Sequence, residues 1–143
     1  MVTAVPDPWG FLARELPDVQ LLREGIPEPG RYYNRQRAIV LRKGLLLEQE
    51  RRYLWHEIVH ALRRDASCAG FMLGKMERAV EKEAARRAMP PATLLAGARA
   101  SIDLHDLVWR MKVPEPWVRF RIDIAHPSER QNLEQACAWV ESA

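Results

Sequence analysis

Two histidines separated by three residues are placed so that they could bind one metal ion. They are His56 and His60, in the run His56-Glu57-Ile58-Val59-His60. Residues four apart on an α-helix lie on the same face, so both imidazoles could reach one cation while Glu57 takes a proton from a water. A catalytic zinc ion usually has three protein ligands and leaves its fourth position to water. The motif therefore predicts a zinc site with His56 and His60 as ligands and Glu57 as the catalytic base.

The sequence around this motif is typical of a helix. Residues 47–64 contain no Gly or Pro, and the segment has Glu48 near its start and Arg63 near its end, where each charge suits the helix dipole. The apolar residues of the segment cover most of its surface and leave only one polar stripe. These apolar residues are Leu54, Trp55, Ile58, Val59, Ala61 and Leu62. We therefore expect a largely buried helix with its two histidines at the floor of a cleft.

A third metal ligand could come from the next helical segment. Residues 76–89 consist mainly of strong helix formers, and Pro90, which follows them, should end the helix. Glu77 and Glu81 are four residues apart and share a face, whereas Glu83 points away from Glu81. Spacing alone leaves both Glu77 and Glu81 as candidate ligands.

The two segments together resemble the ImmA/IrrE-type metallopeptidases over about residues 16–95. The first motif is His56–His60, and the second is the run 81–90, in which Glu81 matches the glutamate of the family's Glu-x-x-Ala pattern. Residues 87–89 depart from the aromatic and leucine residues that the family often has before the proline. The resemblance implies a zincin-like α+β fold, zinc-dependent peptide hydrolysis and Glu81 as the third ligand. It also implies a substrate, a DNA-binding repressor of a phage, mobile element or stress response.

Two short apolar segments precede the predicted motif helix. Residues 19–22 and 38–41 read as strands, and a stretch rich in Gly and Pro separates them. We expect a short antiparallel sheet packed on the helix, with an exposed edge that could hold an extended peptide by main-chain hydrogen bonds. Side chains that could form the rim of such a site are Tyr32, Tyr33, Arg35, Gln36 and Arg37.

The C-terminal part is predicted to be mainly helical. Apolar residues recur at helical spacing beyond Pro91, and the predicted helices are residues 94–100, 104–111, 117–124 and 128–140. We expect the tryptophans Trp109, Trp117 and Trp139 to be packing residues. The chain is accordingly divided into a metallopeptidase core, residues 1–95, and a helical extension packed on it, residues 96–143.

The segments on either side of Pro114 also have the proportions of a helix-turn-helix unit. Arg119 and Arg121 fall on its second member, where a DNA-binding protein places the residues that contact the groove. Two helices folding back onto a core give the same pattern, so DNA contact stays an alternative.

Composition limits the remaining possibilities. A chain of 143 residues with 48% hydrophobic residues can bury one core, which excludes a large multidomain protease. Cys68 and Cys137 are too few for a disulfide scaffold. Because no secretory signal or apolar membrane span is visible, we expect a cytoplasmic protein without membrane contact. The net charge of +3 is too small to predict a dedicated nucleic-acid binder.

The function expected from these residues is that of a zinc endopeptidase acting on a cytosolic protein. Glu57 would carry a proton from the attacking water to the leaving amine. Asp65, five residues after His60, could orient that ligand or be merely solvated. Candidate donors to the oxyanion are Tyr32, Tyr33, His105 and His126. The alternative is a regulatory module with the same fold that binds a repressor or DNA without turnover.

Overall fold

The chain folds into helices and one small sheet, and the predicted α+β class is confirmed. The computed structural model describes residues 4–66, 71–137 and 139, so Cys68 and the end of the last predicted helix lie outside the described residues. The strands are β1 (Gln20–Glu24), β2 (Gly30–Tyr33) and β3 (Ala38–Arg42). The helices are α1 (Pro8–Glu15), α2 (Leu47–Arg63), α3 (Phe71–Ala88), α4 (Pro91–Ala100), α5 (Leu104–Met111), α6 (Glu115–Asp123) and α7 (Pro127–Ala136). Among these residues, no helix has both the length and the hydrophobicity that crossing a bilayer requires.

The sheet is mixed, so the expectation that all its strands pair antiparallel is wrong. Its strand order is β1-β3-β2, with Leu22 opposite Val40 in a parallel pair and Tyr32 opposite Ile39 in an antiparallel pair. β1 and β3 correspond to the two strands expected from the sequence, whereas β2 was not expected. Because β2 reverses the chain before β3 begins, β3 runs in the same direction as β1 and lies between the other two strands.

Helix α2 lies at the centre of the core, as its composition predicts. Leu54, Ile58 and Val59 are fully buried, and α2 packs against α1, α3 and the sheet. The same hydrophobic cluster continues without a break from Leu12 in α1 to Leu133 in α7. The polar stripe of α2 is thereby held against β2 on one side and α3 on the other.

The second helix of the predicted helix-turn-helix is turned toward the core. α5 and α6 are joined by a short turn that ends at Pro114, but Arg121 of α6 is fully buried. Its Nε donates to the carbonyl of Met89 at 2.8 Å, and its guanidinium pairs with Glu129 of α7. Arg121 is therefore committed to internal contacts, which removes it as a candidate for DNA contact.

The prediction that Trp109 is a packing residue is wrong. Trp109 of α5 is 76% exposed, whereas Trp117 is buried and Trp139 is partly buried against the core. The reason is the rotation of α5: Leu107 and Met111, one turn apart, face the core, and a residue midway between them points outward.

Candidate metal centre

Helix α2 presents the motif to an open cleft, as predicted. The cleft has a volume of about 430 Å³ and is lined by one stripe of α2, Tyr53, His56, Glu57 and His60, together with residues of β2 and α3. The two imidazole rings lie edge to face with their centroids 5.0 Å apart. Potential ligand atoms of His56, Glu57 and His60 lie within 4.8 Å of one another, so these residues form a group that could hold a metal ion.

One carboxylate from α3 lies between the two histidines. An oxygen of Glu77 is 2.8 Å from Nε2 of His56, and its other oxygen is 2.9 Å from Nε2 of His60. The Nε2 atoms of both rings therefore converge on a single point that an acidic side chain of the neighbouring helix also reaches. Two imidazole nitrogens and one carboxylate oxygen are ligands that Zn²⁺ accepts.

Each imidazole also contacts a second carboxylate through its Nδ1 atom. Glu81 lies 2.6 Å from Nδ1 of His56, and Asp65 lies 3.0 Å from Nδ1 of His60. A histidine that binds a metal through one nitrogen usually donates the other N–H to such a group, which fixes the ring. Of the two alternatives left open for Asp65, the structure shows the contact with His60. Glu81, expected as a ligand from the family resemblance, is instead bonded to Nδ1 of His56, while Glu77 faces both Nε2 atoms.

The position of Asp65 follows from the way α2 ends. Arg64 adopts the left-handed conformation, with φ of 53°, which closes the helix and turns the chain back. The Asp65 N–H then donates to the carbonyl of His60 at 3.1 Å, so the carboxylate lies within hydrogen-bonding distance of Nδ1 of that residue. Local backbone geometry therefore places this orienting group.

Glu81 of α3 has partners on two other helices. Its Oε2 contacts His56 of α2, and its Oε1 accepts from the indole N–H of Trp117 of α6 and lies 3.5 Å from the guanidinium of Arg52. Burial raises the pKa of Glu81, but the hydrogen bond from His56 and the charges of His56 and Arg52 outweigh it and lower that pKa below its ordinary value. Glu81 is therefore anionic at neutral pH.

Glu57 is buried beside the histidines and has an unusual pKa. Only 6% of the residue is exposed, and burial raises the pKa of Glu57 to about 7, although the charge of His56 opposes that shift. A carboxyl group with a pKa near 7 can both accept and release a proton at neutral pH.

The cluster carries an excess of negative charge. Burial alone would lower the pKa of His56, but the hydrogen bond that His56 donates to Glu81 and the charges of Glu57, Glu81 and Glu77 raise it to about 9. The surroundings of His56 therefore favour a positive charge at this point. A divalent cation would satisfy the same demand.

Comparisons with known proteins add no assignment. No protein-family model, no curated protein and no solved structure matches the chain. The identity of the ion and the reaction have to be inferred from the contacts of the site itself.

The structure also removes two candidate oxyanion donors and adds residues that the sequence analysis missed. His105 and His126 line grooves elsewhere on the surface, not the cleft. Tyr32 does line the cleft, but its hydroxyl is engaged by Asn34 and Arg37. Gly30 and Tyr53 are among the missed cleft residues. Tyr53 could have been found, because it lies one helical turn before His56 and Glu57 on the same stripe.

Proposed function

We propose that this protein is a zinc-dependent endopeptidase. The observation that supports it is the convergence of His56 Nε2, His60 Nε2 and one carboxylate of Glu77 on a single point, with the buried Glu57 beside it. Two histidines and a glutamate are the ligand set of a known class of catalytic zinc sites, and a glutamate adjacent to them is the base that such enzymes need.

Glu77 is the third ligand in this proposal, and Glu81 is the group that orients His56. Spacing left both residues open, but the Glu81 carboxylate, which also lines the cleft, already contacts Nδ1 of His56 and accepts the indole N–H of Trp117. Glu77 is 40% exposed, faces the cleft and reaches both rings. The assignment from the resemblance is revised accordingly.

The residues then have separate tasks in peptide hydrolysis. When bound, Zn²⁺ lowers the pKa of a water to about 7 and polarises a carbonyl. Glu57 takes the proton of the attacking water and returns it to the nitrogen of the leaving amine, so one side chain acts first as base and then as acid. Asp65 and Glu81 hold the two imidazoles in fixed orientations throughout.

The edge of β2 is the proposed binding site for the peptide main chain. The Arg42 N–H donates to the Pro29 carbonyl at 2.9 Å, and the alternation of an antiparallel ladder then directs the N–H and C=O groups of Gly30 and Tyr32 away from β3. Both residues line the cleft. An extended peptide could pair with this edge and cross the metal site, with little demand on its sequence.

The substrate class is proposed from the resemblance to the ImmA/IrrE-type metallopeptidases. His56–His60 and the helix that follows support a DNA-binding repressor of a phage, mobile element or stress response as the protein that is cut. We propose that this cleavage takes place in the cytosol, where such repressors act.

The experiment that tests the reaction compares the wild type with Glu57→Gln after loading with Zn²⁺. Both proteins are incubated with a peptide library made from a digested proteome, and new termini are identified by mass spectrometry. We expect bound zinc in both proteins and cleavage by the wild type alone, with a loss of at least about a hundredfold.

Two other outcomes would be informative. Equal cleavage by both proteins would exclude Glu57 as the base. Bound zinc without cleavage by either protein, combined with saturable binding to a repressor or DNA, would favour the non-catalytic module.

A further inference from the structure

We propose that Trp117 is a positioning residue that fixes the carboxylate behind His56 and so sets the metal affinity of the site. This inference rests on the proposed function, because it takes His56 as a metal ligand. It adds a participant from the C-terminal helices, which neither motif contains.

The contacts form a chain that begins at the cleft. Nδ1 of His56 contacts Oε2 of Glu81, and the other oxygen, Oε1, accepts the indole N–H of Trp117. A carboxylate bound through one oxygen can still rotate about its last bonds. Because both oxygens of Glu81 are engaged, its plane is fixed, and the ring of His56 is fixed with it.

Trp117 is the rigid partner of Glu81. It is 1% exposed and belongs to the hydrophobic cluster, so packing locks its ring. Arg52 also approaches Oε1, but at 3.5 Å and with a side chain that is 27% exposed. The Arg52 guanidinium lies over the Trp117 ring, 5.8 Å from its centroid, so Arg52 is itself positioned partly by the indole. Removal of the indole N–H should therefore let the Glu81 carboxylate move, because Arg52 alone does not fix its position.

The consequence is that the C-terminal part contributes to the metal site. Trp117 lies on α6, and α6 packs against α3, the helix that supplies Glu77 and Glu81. A shift of α6 would be transmitted to His56 through two consecutive hydrogen bonds, from Trp117 to Glu81 and between Glu81 and His56. The metal affinity should thus depend on a residue 36 positions from Glu81 in sequence.

Trp55 provides a matched control for the test. It is 2% exposed, it precedes His56 on α2, and its indole N–H has no hydrogen-bond partner among the described residues. Trp55→Phe and Trp117→Phe remove the same atoms from the same core. Only the second removes a hydrogen bond to Glu81.

The measurement is the zinc affinity of the full chain, determined by competition with a chromophoric chelator. We expect Trp117→Phe to bind Zn²⁺ about tenfold more weakly than the wild type. This is the lower end of the loss in metal affinity that follows when a group that orients a metal ligand is removed. Trp55→Phe should stay within about twofold of the wild type. Urea unfolding of both variants shows whether they lose comparable folding free energy.

A second variant and a metal-free readout keep the two proposals separable. Replacement of Trp117 by benzothienylalanine, in which sulfur takes the place of the N–H, preserves the shape of the ring if the phenylalanine variant does not fold. NMR of the metal-free protein follows the Nδ1–H proton of His56, which should exchange faster with water in either variant.

Wild-type affinity together with an unchanged His56 proton signal would overturn the role of Trp117 and leave the peptidase proposal intact. If the wild type binds no zinc, the peptidase proposal fails, and the His56 signal still shows whether Trp117 positions that ring.

Discussion

Gly30 of β2 lies against Glu57 of α2 so closely that a side chain at position 30 would collide with it. A Cβ atom built on Gly30 would be 3.1 Å from Cγ of Glu57 and 3.1 Å from Cδ2 of Leu41. These distances are shorter than ordinary van der Waals contact, and Leu41 is fully buried and cannot yield freely. The absent side chain therefore lets the sheet edge and the proposed base lie side by side.

Gly30→Ala should reduce peptide hydrolysis by about tenfold while leaving zinc binding unchanged. The added methyl group has to displace the Glu57 carboxylate or the edge of β2 by a few tenths of an ångström, and small misplacements of reacting groups are costly. The rate is measured on a peptide that the wild type cuts, and the metal content by elemental analysis. Gly25→Ala is the control, since a Cβ there meets no atom within 4 Å. Equal rates for the two variants would contradict the proposed role of this contact.

Glu77→Gln and Glu81→Gln should weaken zinc binding to different extents. Glu77 faces both Nε2 atoms, so its replacement removes the proposed third ligand and should abolish stoichiometric zinc. Glu81 holds Nδ1 of His56, so its loss should weaken the affinity by about 10- to 100-fold without abolishing binding. Both affinities come from the same chelator competition. Glu83→Gln, on the same helix and paired with Arg87, is the control.

The reverse ranking would restore the assignment made from the family resemblance. Full zinc occupancy in Glu77→Gln, with none in Glu81→Gln, would make Glu81 the ligand. The cleavage mechanism would survive that result, but the division of tasks on α3 would not.

The sequence predicts α2 and its polar stripe well because both depend on local properties. Helix formers, end charges and a repeat of 3.6 residues determine which side of α2 is polar, and that stripe does line the cleft. The same reasoning limits the ligand on α3 to Glu77 or Glu81. It cannot choose between them, because the answer depends on the offset of α3 along α2, which is set by buried contacts such as those of Val80 and Ala84.

Features that depend on tertiary contacts escape the sequence analysis. Gly30–Tyr33 has no clear alternation of apolar and polar residues, and it becomes a strand because β3 offers a pairing edge. The hydrogen bond from Trp117 to Glu81 joins residues on separate helices and has no local signal. Arg121 reads as a surface cation in the sequence, since nothing local shows that Glu129 will cover it.

The free energy of unfolding should depend on pH partly through Glu50. Hydrogen bonds from Arg23 lower the pKa of Glu50 below its ordinary value and outweigh burial, which raises it, and Trp9 donates to the same carboxylate. A carboxyl group with a lowered folded pKa stabilises the fold above its unfolded pKa, and this contribution is lost as the pH falls through the folded pKa. Arg23 is 46% exposed, so about 1 kcal/mol is expected at pH 7 after allowance for solvent screening.

Urea unfolding of the wild type and Glu50→Gln from pH 7 to pH 3 checks this prediction. The difference between the two proteins should be largest near neutrality and should shrink toward pH 3. Glu48→Gln, exposed on the same helical turn, should track the wild type more closely. A difference between wild type and Glu50→Gln that is constant with pH would show that the ion pair is not its source.

Glu129→Ala should destabilise the protein far more than Glu134→Ala, although both residues lie on α7. Glu129 pairs with the fully buried Arg121, and its removal leaves a guanidinium in the core without its counter-charge, which costs about 3 kcal/mol. Glu134 pairs with Arg130 at 3.1 Å on the surface, where such a pair contributes about 0.5 kcal/mol or less. Urea unfolding at neutral pH measures both. Comparable losses would mean that Arg121 is less committed to the core than its burial indicates, and DNA contact through α6 would then have to be reconsidered.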